Sequence, residues 1–381
     1  MSREFDIVVY GASGYTGRLV AEYLVGSGSG IKWAMAGRSE AKLAEVGDVI
    51  NAPKSTPLLV ADAGDVTALK ALAARTRVVL TTAGPYQLYG DELVAACASE
   101  GTDYVDLTGE PNWIAKMIGL HEAAAKQSGA RLVFSCGFDS VPFDLGVYFI
   151  EREAKKRFGE YAPRVRGRVR AINGGLSGGT MASGTATAAA VKKDRSVALV
   201  LMDPFALTPG FKGPAQPDLN ASYEDKITGS WVVPFMMAGI NTKAVHRSNF
   251  LLGHVWGKDF VYDEMMMTKG PGNAQGAGFS TGRPLKPGEG PSRAERDAGF
   301  YDLLFIAQYP DGRMLRGSVK GDRDPGYGST SKIISESAIC LARDVDRAQT
   351  PGGCWTPTAA MGEALMKRLE TRAGLTFTVE S

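Results

Sequence analysis

Three glycines near the N-terminus, Gly11, Gly14 and Gly17, have a spacing that suits phosphate binding. Glycine lets the backbone approach a pyrophosphate closely, and a helix that begins there presents free N–H groups to it. The spacing is G-x-x-G-x-x-G rather than the commoner G-x-G-x-x-G. The turn predicts a dinucleotide-binding site, and the alternative is a tight turn without a ligand. The residues predicted to take part are Gly11, Ser13, Gly14, Tyr15, Thr16 and Gly17.

The residues after the next predicted strand indicate which nucleotide fits the turn. In NAD-binding folds an acidic residue about 20 positions beyond the glycines binds the ribose 2′-hydroxyl. Arg38 and Ser39 stand there instead, and an arginine forms charge-assisted hydrogen bonds with a 2′-phosphate. We therefore predict NADP(H) rather than NAD(H); the alternative is that Arg38 stacks on the adenine or lies in solvent. Asp62 is a candidate for the adenine edge or for the N-cap of the next helix.

Two further loops follow predicted strands and therefore reach the carboxyl edge of a parallel sheet, where ligands bind. The first contains Tyr86, a candidate proton donor or, alternatively, a packing residue. The second contains Asp139, a candidate for acid–base chemistry, although capping of the next helix by Asp139 or Ser140 is the favoured interpretation. The residues of the first loop that we expect to contact the cofactor are Ala83, Gly84, Pro85 and Tyr86.

Small residues and alternating arginines mark the middle of the chain. Residues 174–185 are rich in Gly, Ser and Thr and open a predicted helix. Its N–H groups can receive a substrate carbonyl or carboxylate, and close helix packing is the alternative. The alternation of arginines over 164–172 predicts a half-exposed antiparallel strand. These arginines, at positions 164, 166, 168 and 170, are also the concentrated basic residues that a carboxylate substrate would need.

Strands and helices alternate over the first 140 residues, and these elements must position the groups above. The alternation predicts an α/β fold that begins with a doubly wound parallel sheet of the Rossmann type. The helix at 113–127 is expected to break at Gly119. An Asp-Gly turn between 303–309 and 313–320 predicts a hairpin, so the second domain is expected to be α+β with an antiparallel sheet. The six strands predicted for the first sheet are 5–10, 31–36, 58–61, 78–82, 104–107 and 131–135.

Bulk composition excludes several classes of function. The chain has 381 residues, enough for two domains with their own cores. Lys plus Arg number 43 and Asp plus Glu number 41, and this balance gives no reason to expect a nucleic-acid partner. The three histidines and four scattered cysteines form no metal-binding pattern, so we predict no metal site.

The location of the protein can also be predicted from the sequence. The first strand begins close to the N-terminus, which leaves no room for a signal peptide and predicts a cytoplasmic protein. No apolar run approaches the roughly 18 residues of a transmembrane helix. Peripheral membrane contact and a homo-oligomer stay open. The segment 269–292 is dense in Gly and Pro, which favours a long loop that acts as a lid or is disordered.

The order of these motifs resembles the short saccharopine dehydrogenase-like oxidoreductases, in particular the branch called trans-acting enoyl reductases. The similar segments run through nearly the whole chain. They are YGASGYTGRLVAEYL at 10–24, AGR at 36–38, AGPY at 83–86, GTDYVDLTGE at 101–110, GFDSVP at 137–142, SGGT at 177–180 and DPGYG at 324–328.

The resemblance implies a three-part organisation and a redox function. It implies an NADP-binding Rossmann domain at 1–143, an α+β substrate or oligomerisation domain at 144–325 and C-terminal helices at 326–381 that return to the first domain. The implied activity is an NADPH-dependent reduction of an activated C=C bond in an apolar, lipid- or polyketide-like enoyl thioester. The alternatives are a saccharopine-type C–N reductase that acts on an amino-acid imine and an NADP-binding scaffold without turnover.

Overall fold

Two seven-stranded sheets organise the chain in a computed structural model that describes residues 3–175, 178–271 and 289–380. Strands are numbered in chain order. They are Phe5–Tyr10 (β1), Trp33–Gly37 (β2), Leu58–Val60 (β3), Thr76–Thr81 (β4), Asp103–Val105 (β5), Arg131–Val133 (β6), Arg164–Asn173 (β7), Tyr223–Asp225 (β8), Ser230–Pro234 (β9), Val261–Thr268 (β10), Phe300–Gln308 (β11), Met314–Gly321 (β12), Gly353–Trp355 (β13) and Leu375–Glu380 (β14).

Helices cover both sheets, and two short π-helical turns, Pro325–Ser329 and Leu369–Ala373, accompany them. The α-helices are Tyr15–Gly26 (α1), Glu40–Val49 (α2), Val66–Arg75 (α3), Tyr86–Tyr89 (α4), Asp91–Glu100 (α5), Pro111–Ser128 (α6), Val141–Phe158 (α7), Gly178–Lys193 (α8), Ser196–Met202 (α9), Ala238–Leu251 (α10), Arg293–Asp297 (α11), Thr330–Arg343 (α12) and Pro357–Arg368 (α13).

The first sheet is parallel and has the order β13-β6-β5-β4-β1-β2-β3. Strand β1 lies between β2 and β4, and the side chains of Ile7, Val8 and Val9 are fully buried. Strands buried on both faces by crossover helices read as continuous apolar runs, which explains why β1 was recognisable in the sequence. The predicted doubly wound α/β sheet is confirmed, and the short strand β13 adds a seventh member that was not predicted.

The second sheet has the order β14-β12-β11-β7-β10-β9-β8 and is mixed. The predicted hairpin of β11 and β12 is confirmed, with Gln308 opposite Met314. Strand β7, however, runs antiparallel to β11 and parallel to β10. The predicted antiparallel sheet is confirmed for every strand pair but this parallel one, which makes the sheet mixed because β7 is an interior strand with one neighbour of each direction.

The long helices show where local patterns succeed and where they fail. Ser39 caps α2, as its position before Glu40 predicted, with its Oγ 3.4 Å from the amide nitrogen of Lys42. The predicted break at Gly119 was wrong, because α6 runs without interruption from Pro111 to Ser128. A glycine inside a helix costs about 1 kcal/mol, which a buried helix face readily offsets.

Three observations on the described residues bear on function. Helix α12 packs on α1, β1 and β4, so the C-terminal part of the chain supports the first sheet. No helix in the ranges given above is long and apolar enough to cross a membrane. The predicted lid at 269–292 falls largely outside the described residues, which resume at Glu289.

Candidate functional site

The glycine turn joins β1 to α1 in a conformation that requires glycine. Gly11 has a φ of +84°, a region that L-residues rarely adopt. A Cβ at Gly17 would lie 2.2 Å from the carbonyl oxygen of Gly11, so only glycine lets α1 start this close to the turn. Gly14 is the N-cap of α1, and no described side chain caps the helix there. The first N–H groups of α1 are thus left for a ligand, as a pyrophosphate site requires.

The end of β2 places Arg38 beside this turn. Arg38 is exposed, and Ser13 lies next to the preceding residue, its Oγ 3.7 Å from a Cβ built on Gly37. Burial and the Asp62 carboxylate together raise the pKa of Tyr10 to about 12, and the positive charge of Arg38 opposes this rise. Arg38 and Asp62 therefore both lie near Tyr10, at the end of the sheet where a nucleotide's ribose would sit.

The alternative role of Asp62 as a helix cap was wrong. Asp65 caps α3, with its Oδ1 3.0 Å from the amide nitrogen of Ala68. Asp62 accepts a hydrogen bond from the amide of Gly64 instead and keeps an exposed side chain. Its position is compatible with contact to the adenine, which stays a prediction.

The loop after β4 packs directly on the glycine turn. A Cβ on Gly11 would lie 3.1 Å from the amide nitrogen of Ala83, and the Thr82 hydroxyl donates to the Gly11 carbonyl at 3.3 Å. The Gly84–Pro85 peptide bond is cis. The structure therefore brings this loop, Ala83 to Tyr86, next to the glycine turn, and its contact with a dinucleotide stays a prediction.

Tyr86 is buried, and its hydroxyl is held within the protein. The hydroxyl donates to the Thr81 carbonyl at 3.2 Å and accepts from the Leu107 amide at 3.1 Å. Burial raises the pKa of Tyr86 well above its usual value. The ring also packs on Trp113, with centroids 5.5 Å apart. This geometry favours the packing interpretation of Tyr86 over the proton-donor interpretation.

Glu110 connects three elements around the site, a role that sequence reasoning missed. Its carboxylate accepts from the amides of Tyr86 at 3.0 Å and Gln87 at 2.8 Å, and from the Ser183 hydroxyl at 2.7 Å. Gln87 also donates to the Thr187 hydroxyl at 3.1 Å. These hydrogen bonds connect α8 to α4. Glu110 ends the similar segment at 101–110, but nothing in the sequence indicated its partners.

A pocket of about 450 Å³ opens between the carboxyl edge of the first sheet and α8. Two charged residues line it, Glu110 and Asp139, and no Lys, Arg or His side chain does among the described residues. Its apolar wall comes from α9, α10 and the segment before α10. The apolar residues of this wall are Leu201, Met236, Met237 and Ile240.

Asp139 and Tyr327 both line this pocket. Asp139 is half-buried and no described residue forms a hydrogen bond with its carboxylate; burial raises its pKa to about 6. Burial also raises the pKa of Tyr327, with Asp139 contributing to that shift, and the Tyr327 hydroxyl is hydrogen-bonded to Thr180. The Tyr327 ring meets the ring of Tyr15 edge-on at 5.0 Å. Tyr327 belongs to the similar segment at 324–328, and nothing in the sequence indicated a role for it.

The favoured capping role of the Asp139 loop was wrong. Ser140 is the N-cap of α7, but no side-chain capping bond forms there in the described structure. The Ser140 hydroxyl donates instead to Asn241 Oδ1 at 3.1 Å. Asp139 is thus available to the pocket rather than used by the helix.

The alternating arginines of β7 lie away from this pocket. Arg168 is fully buried and lies 2.8 Å from both Asp225 and Asp263. Arg170 pairs with Asp302 and Glu380 at 2.7 and 2.6 Å. The expectation of a half-exposed strand holds only for part of β7, and none of its arginines lines the pocket of 450 Å³.

Comparison with known proteins identifies the family. The family model described as the saccharopine dehydrogenase NADP binding domain matches residues 7–133. A Mycobacterium tuberculosis protein with the provisional name of trans-acting enoyl reductase is 40% identical over 401 residues and covers 96% of both chains. A trans-acting enoyl reductase of Mycobacterium leprae is 36% identical over 403 residues, with 96% of each chain covered.

The fold matches a solved structure over the whole chain. A saccharopine dehydrogenase (L-Glu forming) from Saccharomyces cerevisiae aligns with a TM-score of 0.57 at 9% identity. The alignment covers 99% of this chain and 100% of that one, which shows a shared fold. The chain belongs to the saccharopine dehydrogenase-like oxidoreductases, in the branch of the trans-acting enoyl reductases, and is an NADP-dependent oxidoreductase.

Proposed function

We propose that this oxidoreductase reduces an activated C=C bond of an apolar, acyl-type substrate such as an enoyl thioester. The observation that carries the proposal is the pocket of about 450 Å³, which adjoins the glycine turn and combines an apolar wall with two acidic residues. Recognition of a carboxylate normally uses Arg or Lys side chains. A neutral carbonyl compound with an apolar body suits this lining better than an amino acid does.

The residues around the turn fit NADPH. Gly11 and Gly17 form a cradle that any Cβ would fill, and the uncapped start of α1 offers N–H groups to the pyrophosphate. Arg38 and Ser39 would hold the 2′-phosphate, and the loop Ala83 to Tyr86 would bound the nicotinamide. NADPH supplies a hydride when it is bound. On this proposal residues 1–143 hold the cofactor, and residues 144–325 supply most of the apolar wall.

Asp139 and Tyr327 would act on the substrate. A reduced C=C bond needs one proton at the carbon next to the carbonyl, and protonated Asp139 holds such a proton at a carboxyl oxygen in the pocket. The Tyr327 hydroxyl, which is hydrogen-bonded to Thr180, would bond the substrate carbonyl oxygen. The apolar wall excludes water from this reaction.

The two alternatives from the sequence have less support. Reduction of an amino-acid imine needs basic residues in the pocket, and the arginines of β7 are paired with carboxylates elsewhere. A scaffold without turnover would have no room for a substrate beside the cofactor, and the pocket of about 450 Å³ that adjoins the glycine turn argues against this alternative.

The experiment that tests the proposal compares substrates. The purified chain is supplied with NADPH and either a trans-octenoyl N-acetylcysteamine thioester or lysine plus 2-oxoglutarate, and loss of NADPH absorbance is followed. We expect turnover of the thioester alone, with the saturated thioester as product by mass spectrometry. Turnover of the amino-acid pair alone, or tight NADPH binding with no turnover of either, would contradict the proposal.

A further inference from the structure

A second cavity, of about 880 Å³, extends from the glycine turn between α4 and α8. We propose that the part between α4 and α8, called the α4–α8 channel below, binds the aliphatic chain of the substrate. This inference rests on the proposed function, since the chain it describes is that of the enoyl substrate. The residues that define the channel are Pro85, Leu88, Tyr89, Ala182, Ala186, Ala189 and Ala190.

One wall of the channel is a face of α8 made of methyl side chains. Ala182, Ala186, Ala189 and Ala190 are spaced at i, i+4, i+7 and i+8, so they share a helix face. Their small size leaves the cavity open rather than filled. The face runs from Ala182 to Ala190 and spans about 12 Å at the rise of an α-helix. This length suits an extended chain of several methylene groups.

The opposite wall offers large apolar side chains that lack cover. Leu88 and Tyr89 are 60% and 51% exposed, although both line the cavity. Lys193 and Glu289 are the charged residues of the lining in the described part of the chain. An aliphatic chain would remove the apolar surfaces of both walls from water.

The channel is continuous with the pocket that holds Asp139 and Tyr327. Thr16, Thr82, Gly84 and Gly179 line both cavities, so one molecule can occupy the two together. A substrate with its carbonyl near Tyr327 can therefore direct its chain past Gly179 into the channel. Gly14 and Tyr15 of the glycine turn also line the second cavity. The competing explanation is therefore that this cavity binds NADPH alone.

The channel has a fixed width because its two walls are joined by hydrogen bonds. Glu110 accepts from the Gln87 amide and from the Ser183 hydroxyl, at 2.8 and 2.7 Å. Gln87 donates to Thr187, at 3.1 Å. Ser183 and Thr187 are four residues apart on α8, next to the alanine face. The channel is thus a built feature, and its alanines determine how thick a chain it admits.

The test uses a matched pair of substitutions on α8. Ala186→Phe places a ring in the channel, whereas Ala188→Phe places it two residues away, at an exposed position outside both cavities. The measured quantities are KM for decenoyl and butenoyl thioesters and Kd for NADPH. Binding of cis-parinaric acid is also measured, and decanoate is used to displace it. Thermal melting checks that both variants fold.

The expected result is selective for chain length. Ala186→Phe should raise KM for the decenoyl thioester by about tenfold or more. This is the effect expected when roughly two methylene groups of the substrate are no longer buried. It should leave the butenoyl KM and the NADPH Kd unchanged and weaken cis-parinaric acid binding. Ala188→Phe should change none of these quantities.

The outcomes separate this inference from the proposed function. If Ala186→Phe leaves the ratio of decenoyl to butenoyl KM unchanged, or weakens NADPH binding equally, the channel does not bind the acyl chain even though enoyl reduction stands. If the wild-type chain reduces no enoyl thioester but Ala186→Phe alone weakens cis-parinaric acid binding, the channel stands and the proposed reaction fails.

Discussion

Two charged side chains at the carboxyl edge of the first sheet, Arg38 and Asp139, lie open, whereas the arginines inside the second sheet are paired with carboxylates. Arg38 is exposed and no described residue bonds the Asp139 carboxylate. Arg168 and Arg170, by contrast, each contact two carboxylates at 2.8 Å or less. Buried charges are tolerated when they are paired, so an unpaired charged group beside a cavity points to a ligand.

This difference explains why the arginines of β7 were candidates for substrate binding when only the sequence was considered. Alternating arginines look the same in a sequence whether they bind the carboxylate of a substrate or the carboxylate side chains of the protein itself. The partners of Arg168 and Arg170 lie 57 and 210 residues away in the chain, in Asp225 and Glu380. Only the tertiary structure distinguishes the two cases, and it assigns β7 to the scaffold.

The largest expected effect comes from breaking a pair in the second sheet. Arg168→Met leaves Asp225 without its cation and takes one of the arginines from Asp263, which keeps Arg164 at 3.1 Å. We expect about 3–5 kcal/mol of lost stability, because Asp225 is left as an unpaired buried charge. Urea unfolding measures the change. Arg170→Met is the control, since its partners are about a quarter exposed and surface pairs contribute roughly 0–1 kcal/mol. Equal losses for both variants would show that burial does not separate the two pairs.

The next effect concerns the open carboxyl of the first sheet. Asp139→Asn removes the proposed acid, and we expect kcat to fall by about 10²–10⁴-fold while the NADPH Kd is unchanged. Because burial raises the pKa of Asp139 to about 6, the protonated fraction of the wild type falls tenfold for each pH unit above that value. The wild-type kcat should therefore decline above pH 6 and the variant's should not. A wild-type kcat that rises from pH 6 to 8 would exclude Asp139 as the acid.

A smaller effect tests the open arginine. Arg38→Ala removes charge-assisted hydrogen bonds of about 1.5–3 kcal/mol, so the NADPH Kd should rise roughly 10- to 100-fold. The NADH Kd should stay the same, because NADH has no 2′-phosphate. Intrinsic fluorescence titration gives both constants. Loss of affinity for both nucleotides in equal measure would indicate stacking on the adenine instead.

These contrasts also show which parts of the molecule local sequence can specify. The glycine turn, Arg38 and the loop from Ala83 to Tyr86 follow strands whose apolar runs are visible, so their shared edge was predictable. Strand β13 has three residues and joins β6 across about 220 positions, so no periodicity could reveal it. Glu110 and Tyr327 have roles that depend on Ser183, Thr180 and Tyr15, and these contacts form only when distant segments meet.

Removal of the Tyr327 hydroxyl should give the smallest effect on activity, and it tests whether this hydroxyl contacts the substrate carbonyl. Tyr327→Phe keeps the ring that packs on Tyr15 and removes the hydroxyl bonded to Thr180. One hydrogen bond contributes about 0.5–1.5 kcal/mol, so kcat should fall roughly two- to tenfold. Thr180→Val should give part of the same loss, and the double variant should lose less than the two losses combined, because both act through one hydroxyl. Additive losses, or an unchanged kcat in Tyr327→Phe, would place the substrate carbonyl away from this hydroxyl.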